Sequence, residues 1–321
     1  MNKYFLSLLI LASIFSCTTE FDLTTGGKEL PVVYAVFNED DPIHYVRVEQ
    51  LFVSEEEAPR ILAQEESEVF FDNVSVEVQK VGGASFLLER IDVASEGLER
   101  EAGIFLTSPN ILYRISDQEL QLQSSDSIIV NVYNEFDSLI ASASANVVGA
   151  SELSRPAPDV KLNFTPMREF RYAWDGDEDA KFYDLGFNFY IREIRNNQAV
   201  TNSYYWQPVS GWEQERFPLD GSGFYNFLND VLEVDPSVIR IVDSADVVIS
   251  SGGAALKRFI EINNLNTGIT SSQVTPTYTN VEGGLGLVSS SNVSVFTGKL
   301  LSPATLDSLR NSPRVENLNF Q

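Results

Sequence analysis

From Pro31 the chain alternates apolar and polar residues in short runs separated by turn residues: PVVYAVF, IHYVRVEQLF, NVSVEVQKV, SFLLERI, ILYRIS, SIIVNVY and SLIASASANVV. In NVSVEVQKV, Val74, Val76 and Val78 fall on one side and Ser75, Glu77 and Gln79 on the other, the period of two that buries one face of a strand. This succession of runs across residues 30–149 predicts a β-sandwich. A polar stretch, VSEEEAPRILAQEESE, interrupts it. That stretch is long for a connection, carries a short helical segment over Pro59 to Gln64, and presents Glu55, Glu56 and Glu57 as a candidate contact loop. Small residues and two prolines then mark residues 150–160 as a linker.

Beyond the linker, EFRYAWDGDEDAKFYDLGFNFYIREI predicts a strand, a tight acidic turn and a long strand with Tyr183, Leu185, Phe187, Phe189 and Ile191 on one face. Two helices carry the 3.6-residue period. In GFYNFLNDVLEV, Asp220 or Ser222 is the cap, and Phe224, Phe227, Leu228, Val231 and Leu232 form the apolar stripe. In SPATLDSLRN, Ser302 caps and Pro303 takes the first helical position. The glycines of TYTNVEGGLGLVSSS read as turns and bulges, because no Gly-Lys-Ser/Thr ending and no helix follow them. The fold class expected is therefore all-β, β-rich with two short helices. An N-terminal β-sandwich over 30–149 precedes a larger antiparallel β domain over 161–312, and residues 313–321 form a disordered tail.

Ahead of the strands, Lys3 and an apolar run from Tyr4 to Phe15 have the form of a secretory signal over residues 1–16, too short for the roughly 20 residues of a membrane span. Ile14-Phe15-Ser16-Cys17 resembles a lipobox, the processing site of bacterial lipoproteins. Processing there makes Cys17 the first mature residue, with a diacylglyceryl group on its sulfur, and makes residues 17–29 a lipid-anchored tether. Two or three acyl chains give a durable anchor where one gives a marginal one. Cys17 is the only cysteine, so the folded part has no thiol for a disulfide or a thiolate nucleophile.

Charge removes further classes. With 46 acidic against 22 basic residues, a net charge of −24 and a pI near 4.3, nucleic acid is not an expected partner. The single histidine, His44, shares a strand face with Val46 and Val48 and reads as structural, and zinc sites built on several histidines are excluded by counting. No metal and no cofactor are expected. Asp175, Asp177 and Asp179 follow an EF-hand register that fails at Ala180 and Gly186. Asp175, Asp177 and Glu178 remain as acids for a carboxylate-dependent hydrolase. In SYYWQPVSGW, Tyr204, Tyr205, Trp206 and Trp212 are candidate contacts for a glycan or a protein partner, against the commoner use of such rings as core anchors.

Taken together, the segment ending at Cys17, PVVYAVFNEDDPIHYVRVEQLF, FYDLGFNFYIRE, TYTNVEGGLGLVSSS and LSPATLDSL resemble a Bacteroidetes outer-membrane lipoprotein family known as a domain of unknown function and often encoded beside TonB-dependent transporters. The resemblance implies an immunoglobulin-like front half, no catalytic residues, and a place on the outer membrane. Glu20 and Asp22 resemble the signal for cell-surface exposure. It further implies O-glycosylation at Asp-Ser-apolar triplets, here on Ser127, Ser138, Ser244 and Ser308. The function expected is a non-enzymatic binding or scaffolding subunit of an outer-membrane protein complex that includes a TonB-dependent transporter. The alternatives are a surface glycan-binding lipoprotein and the carboxylate-dependent hydrolase.

Overall fold

The computed structural model describes residues 30–51, 58–265 and 277–321. Cys17, the expected signal and tether over 1–29, and the contact candidates Glu55, Glu56 and Glu57 lie outside the described residues. The protein is β-rich, with a large mixed sheet and few helices. Its strands are β1 (Leu30–Phe37), β2 (Ile43–Leu51), β3 (Ser75–Lys80), β4 (Ser85–Leu87), β5 (Glu89–Asp92), β6 (Ile111–Ser116), β7 (Ser127–Tyr133), β8 (Leu139–Asn146), β9 (Glu152–Arg155), β10 (Glu169–Asp175), β11 (Phe182–Arg195), β12 (Gln198–Trp212), β13 (Arg216–Asp220), β14 (Ile239–Gly252) and β15 (Leu285–Lys299). Helices are α1 (Pro59–Leu62), α2 (Glu66–Val69), α3 (Asp117–Leu120), α4 (Ser222–Val231), α5 (Ala254–Leu265) and α6 (Pro303–Asn311).

Period-two patterning placed most strands of the front half. Val33, Ala35 and Phe37 of β1, Val46 and Val48 of β2, and Tyr113 and Ile115 of β6 face Val76 and Val78 of β3, Val130 and Val132 of β7, and Ala141 and Ala143 of β8 in one core. SFLLERI is not one strand. Leu88 is buried at a crossing, so β4 pairs with β3 in one sheet and β5 pairs with β6 in the other.

The boundary between the halves differs from expectation. An eight-stranded sheet runs β12-β11-β14-β15-β1-β2-β6-β5 and passes through both of them. Along β15, Leu285–Ser290 pairs parallel with β1, and Ser291–Lys299 pairs antiparallel with β14. Gly286, at φ 118°, makes the first pairing possible, because a Cβ there would collide with the Val33 carbonyl oxygen. The expected linker is also structured, since β9 within it pairs with β10. Its backbone is fixed from β15 as well, where Ser294 Oγ accepts from Ser151 N at 2.8 Å.

In the back half, β13-β10-β9 forms a three-stranded sheet. Leu185, Phe187 and Phe189 of β11 share one core with Tyr172 and Trp174 of β10, with Phe224 and Leu228 of α4, and with Leu309 of α6. Ser302 caps α6 as expected, accepting from Thr305 N at 3.2 Å. Helix α4 starts at Ser222, but no side chain caps it, and Asp220 instead accepts from Ser222 N at 2.8 Å.

Two expectations fail here. Helix α5 follows β14 directly and has no local capping residue; Leu256 N donates instead to Ser289 Oγ on β15 at 3.1 Å. The expected disordered tail, 313–321, is packed, with Val315, Leu318 and Phe320 buried. Its anchor is Arg240, only 2% exposed, which donates to Glu193 at 2.7 Å, the Leu318 carbonyl at 3.0 Å and the Glu233 carbonyl at 2.9 Å. A buried guanidinium must fill its donors, and the tail supplies one acceptor.

Candidate functional site

Strand alternation decides the fate of the four aromatic candidates. Trp206 turns into the core, 5.6 Å from Phe187 and 5.9 Å from Phe227 between ring centroids. Tyr204 packs on the same core. Trp212 is half-buried, 5.2 Å from Phe217 in an edge-on contact, with its indole N–H donated to the Arg216 carbonyl at 2.9 Å. Tyr205 lies on the opposite face, half exposed, where burial and the Asp184 charge both raise its pKa. The rings therefore divide between two faces and form no single platform for a sugar.

The acidic turn is committed to its own backbone. Asp177 Oδ1 accepts from Asp179 N at 2.9 Å, and the Asp177 carbonyl accepts from Ala180 N at 3.1 Å. Asp175 and Glu178 are exposed at its two ends. Burial, then the Glu215 and Asp177 charges, push the neighbouring Tyr183 hydroxyl up to about 12. Among the described residues no group of three His, Cys, Asp or Glu side chains is placed to hold a metal ion.

His44 is 2% exposed and donates Nε2–H to Asp117 Oδ1 at 3.0 Å. Its Nδ1 is buried without a partner, and the ring lies 5.9 Å from Phe37. A catalytic imidazole aims its second nitrogen at a hydroxyl nucleophile; this one aims it into the core. Of the glycosylation candidates, Ser138 is exposed in the β7–β8 turn. Ser127 bonds Asn146 Oδ1 at 2.8 Å, Ser308 donates to the Ala304 carbonyl at 2.9 Å, and Ser244 is half-buried on β14.

One concave site was not anticipated. A cavity of about 240 Å3 opens where the start of α5 meets the edge of β8, walled by Asn146, Asp179, Lys181, Arg258, Tyr278 and Ser289. Next to it, a Cβ at Gly252 would run into the Phe182 ring and crowd Leu256, so the glycine lets α5 fold back over the sheet. Asp179 accepts from Asn146 Nδ2 at 2.8 Å, and Lys181 is satisfied by the Glu178 carbonyl. Lys257, on the next surface, reaches Glu213 at 2.6 Å, a hydrogen bond that raises its pKa.

No protein-family model matches the chain, and no curated protein matches it.

The cavity thus brings Lys181 and Arg258 together beside Asp179, with Lys257 on the adjoining surface, in a molecule with 22 basic residues against 46 acidic ones. No run of neighbouring residues marks it in the sequence, because its walls come from β8, the acidic turn, α5 and β15. Lys181 donates to the Glu178 carbonyl and Asp179 accepts from Asn146, so the arrangement is a lightly basic notch suited to a surface contact.

Proposed function

We propose that the chain is an exported, lipid-anchored lipoprotein that serves as a non-enzymatic binding or scaffolding subunit of an outer-membrane protein complex, with a TonB-dependent transporter as the partner implied by the family resemblance. The observation that carries this reading is the apolar run Tyr4 to Phe15 ending at Cys17, with the first strand beginning at Leu30. The twelve residues between them reach at most roughly 45 Å, so the folded body would work close to a lipid surface. A sheet shared by both halves favours a rigid body at the end of such a tether.

The front half is read as an immunoglobulin-like sandwich. Its strand orders support this: β1-β2-β6-β5 and β4-β3-β7-β8 correspond to neighbours A-B-E-D and C′-C-F-G. The departure is β15, which lies outside β1 in the position of an added strand. If sugars are attached at the Asp-Ser-apolar triplets, Ser138 is the accessible acceptor.

Metabolic palmitate labelling tests the anchor, with label expected on the wild type, and a Cys17→Ser chain expected to leave the membrane fraction. An unlabelled chain, or a variant that stays membrane-bound, overturns the reading. Purification through a C-terminal tag from detergent-solubilised membranes tests the partnership: a chain recovered consistently alone counts against the scaffold role.

A further inference from the structure

The sheet edges of this molecule are unequally protected. Natural edges are shortened, charged, broken by proline or covered, because an open ladder of N–H and C=O groups invites another strand. Among the described residues, β5 has four residues, three of them charged (Glu89, Arg90, Asp92). β4 has three residues, β9 has four with Glu152 and Arg155 at its ends, and β13 carries Pro218 between Arg216 and Asp220. The β8 edge is covered by the Ser142–Glu282 bridge and by Asn280, which donates to the Ser144 carbonyl at 3.4 Å. β12 is different: it has 15 residues, QAVTNSYYWQPVSGW, and not one is charged, in a chain that is 21% charged.

Its open groups can be assigned. β12 closes on β11 through Asn196 and Asn197, both left-handed at φ 51° and 64°, with Arg195 opposite Gln198. A two-residue turn makes that flanking pair a hydrogen-bonded one, so Gln198, Val200, Asn202 and Tyr204 bond to β11. The backbone groups of Ala199, Thr201, Ser203 and Tyr205 therefore point away, and no described strand or loop takes them. Pro208 and register shifts disturb the strand only beyond Tyr205.

We infer that this edge pairs antiparallel with β12 of a second copy, about a two-fold axis through Asn202. That axis sets Thr201 of one copy opposite Ser203 of the other, and Ala199 opposite Tyr205. All four are residues whose backbone groups face outward, so every pair exchanges two hydrogen bonds and the same surface serves both copies. Thr sits across from Ser and a Tyr ring across from Ala, pairings without steric or charge conflict. Charge selects the occupant. β12 itself offers no carboxylate to a basic partner strand, and Glu193, which accepts from Asn202 Nδ2 at 3.2 Å, is already paired with Arg240, so two bodies of −24 each can meet here without like charges opposed across the axis.

A seven-residue ladder is only about 23 Å long, and strand pairing alone falls below the roughly 1,200 Å2 of a stable interface. The dimer is accordingly weak, and it tightens as salt screens the mutual repulsion over about 10 Å. The test is sedimentation velocity of the full chain in detergent up to about 200 μM, with sodium chloride raised from about 50 to 300 mM. A dimer whose fraction rises with both is expected, together with slowed amide exchange across residues 198–206 at high concentration. The double variant Thr201→Pro, Ser203→Pro removes two N–H groups that β11 does not use and should weaken association at least about tenfold, or about 1.4 kcal/mol. Should those prolines unfold the hairpin, Thr201→Lys with Ser203→Lys sets like charges across the axis in an intact ladder and should do the same. A chain that stays monomeric throughout overturns the inference, and so does a dimer that folded variants of this edge leave unchanged.

Discussion

Asp117 shows how one surface carboxylate can hold a buried histidine. It accepts from His44 Nε2 at 3.0 Å and from Leu122 N at 2.9 Å. Burial acts to raise its pKa, but the hydrogen bonds from His44 and Leu122 outweigh it and leave the carboxyl below its ordinary value. Asp117→Ala strips the acceptor from an imidazole that already has one unpartnered nitrogen, and should cost about 2 kcal/mol at neutral pH. The pH dependence has a definite sign. A carboxyl whose folded pKa is depressed contributes fully above its unfolded value of about 3.9, and loses that contribution as pH falls through the folded value. Urea unfolding of wild type and variant should therefore show a gap at pH 7 that narrows on the acid side of about pH 4. An equal gap at both pH values would mean that Asp117 acts through packing alone.

At the scale of elements, the pairing of β15 with β1 depends on one missing methyl group. Gly286→Ala drives a Cβ against the Val33 carbonyl and should cost more than about 4 kcal/mol, in the exceptional range for a single substitution. Gly97 is the control: its φ is 88°, but no atom lies within 4 Å of where a Cβ would sit, so Gly97→Ala should cost only the left-handed penalty of about 1–2 kcal/mol. Thermal unfolding of the two variants separates collision from backbone strain. The tail gives a parallel case. Arg240→Met leaves the Glu193 carboxylate and the Leu318 carbonyl without their donor and should cost about 3 kcal/mol, with early proteolytic clipping beyond Asn311 as its signature. Clipping no faster than in wild type would show that Val315, Leu318 and Phe320 hold the tail without the arginine.

These elements also show what the sequence could disclose. Strands such as β3, β7 and β11 were legible because each buries one face, and burial writes a period of two into the chain. Helix α6 was legible because its cap, Ser302, is adjacent to it. Helix α5 was not, because Ser289, which satisfies its first turn, is a distant residue on another strand. The tail looked disordered because its partner, Arg240, lies in β14. Of the candidate site, Trp206 declared itself as a large ring, but only the fold could say that it faces Phe187 and Phe227. The notch at the start of α5 joins residues from β8, the acidic turn and α5, a coincidence of loops with no local pattern.

For the whole molecule, the shared strand governs how it comes apart. Two β domains joined by a flexible linker unfold separately, each with its own midpoint, because little burial couples them. Here β15 cannot leave one half without disturbing the other. Val288 lies in the front core, and Phe296, further along the same strand, packs on the back core. Ser290 Oγ accepts from Val148 N at 3.0 Å, and Asn292 Nδ2 donates to Asp40 at 3.1 Å, so polar contacts at the crossing tie β15 to the front half as well. Opening the front half thus exposes Val288 and frees the strand that flanks β14. Calorimetry should accordingly give one transition whose van't Hoff and calorimetric enthalpies agree, with a midpoint that rises with salt as the repulsion among an excess of carboxylates is screened. Gly286→Ala supplies the contrast: with β15 detached from β1, the single transition should divide into two, and the front half should melt first because it has lost a flanking strand. Two transitions in the wild type would mean that the crossing contacts are too weak to couple the cores, and that the halves behave as the separate domains their sequence pattern first indicated.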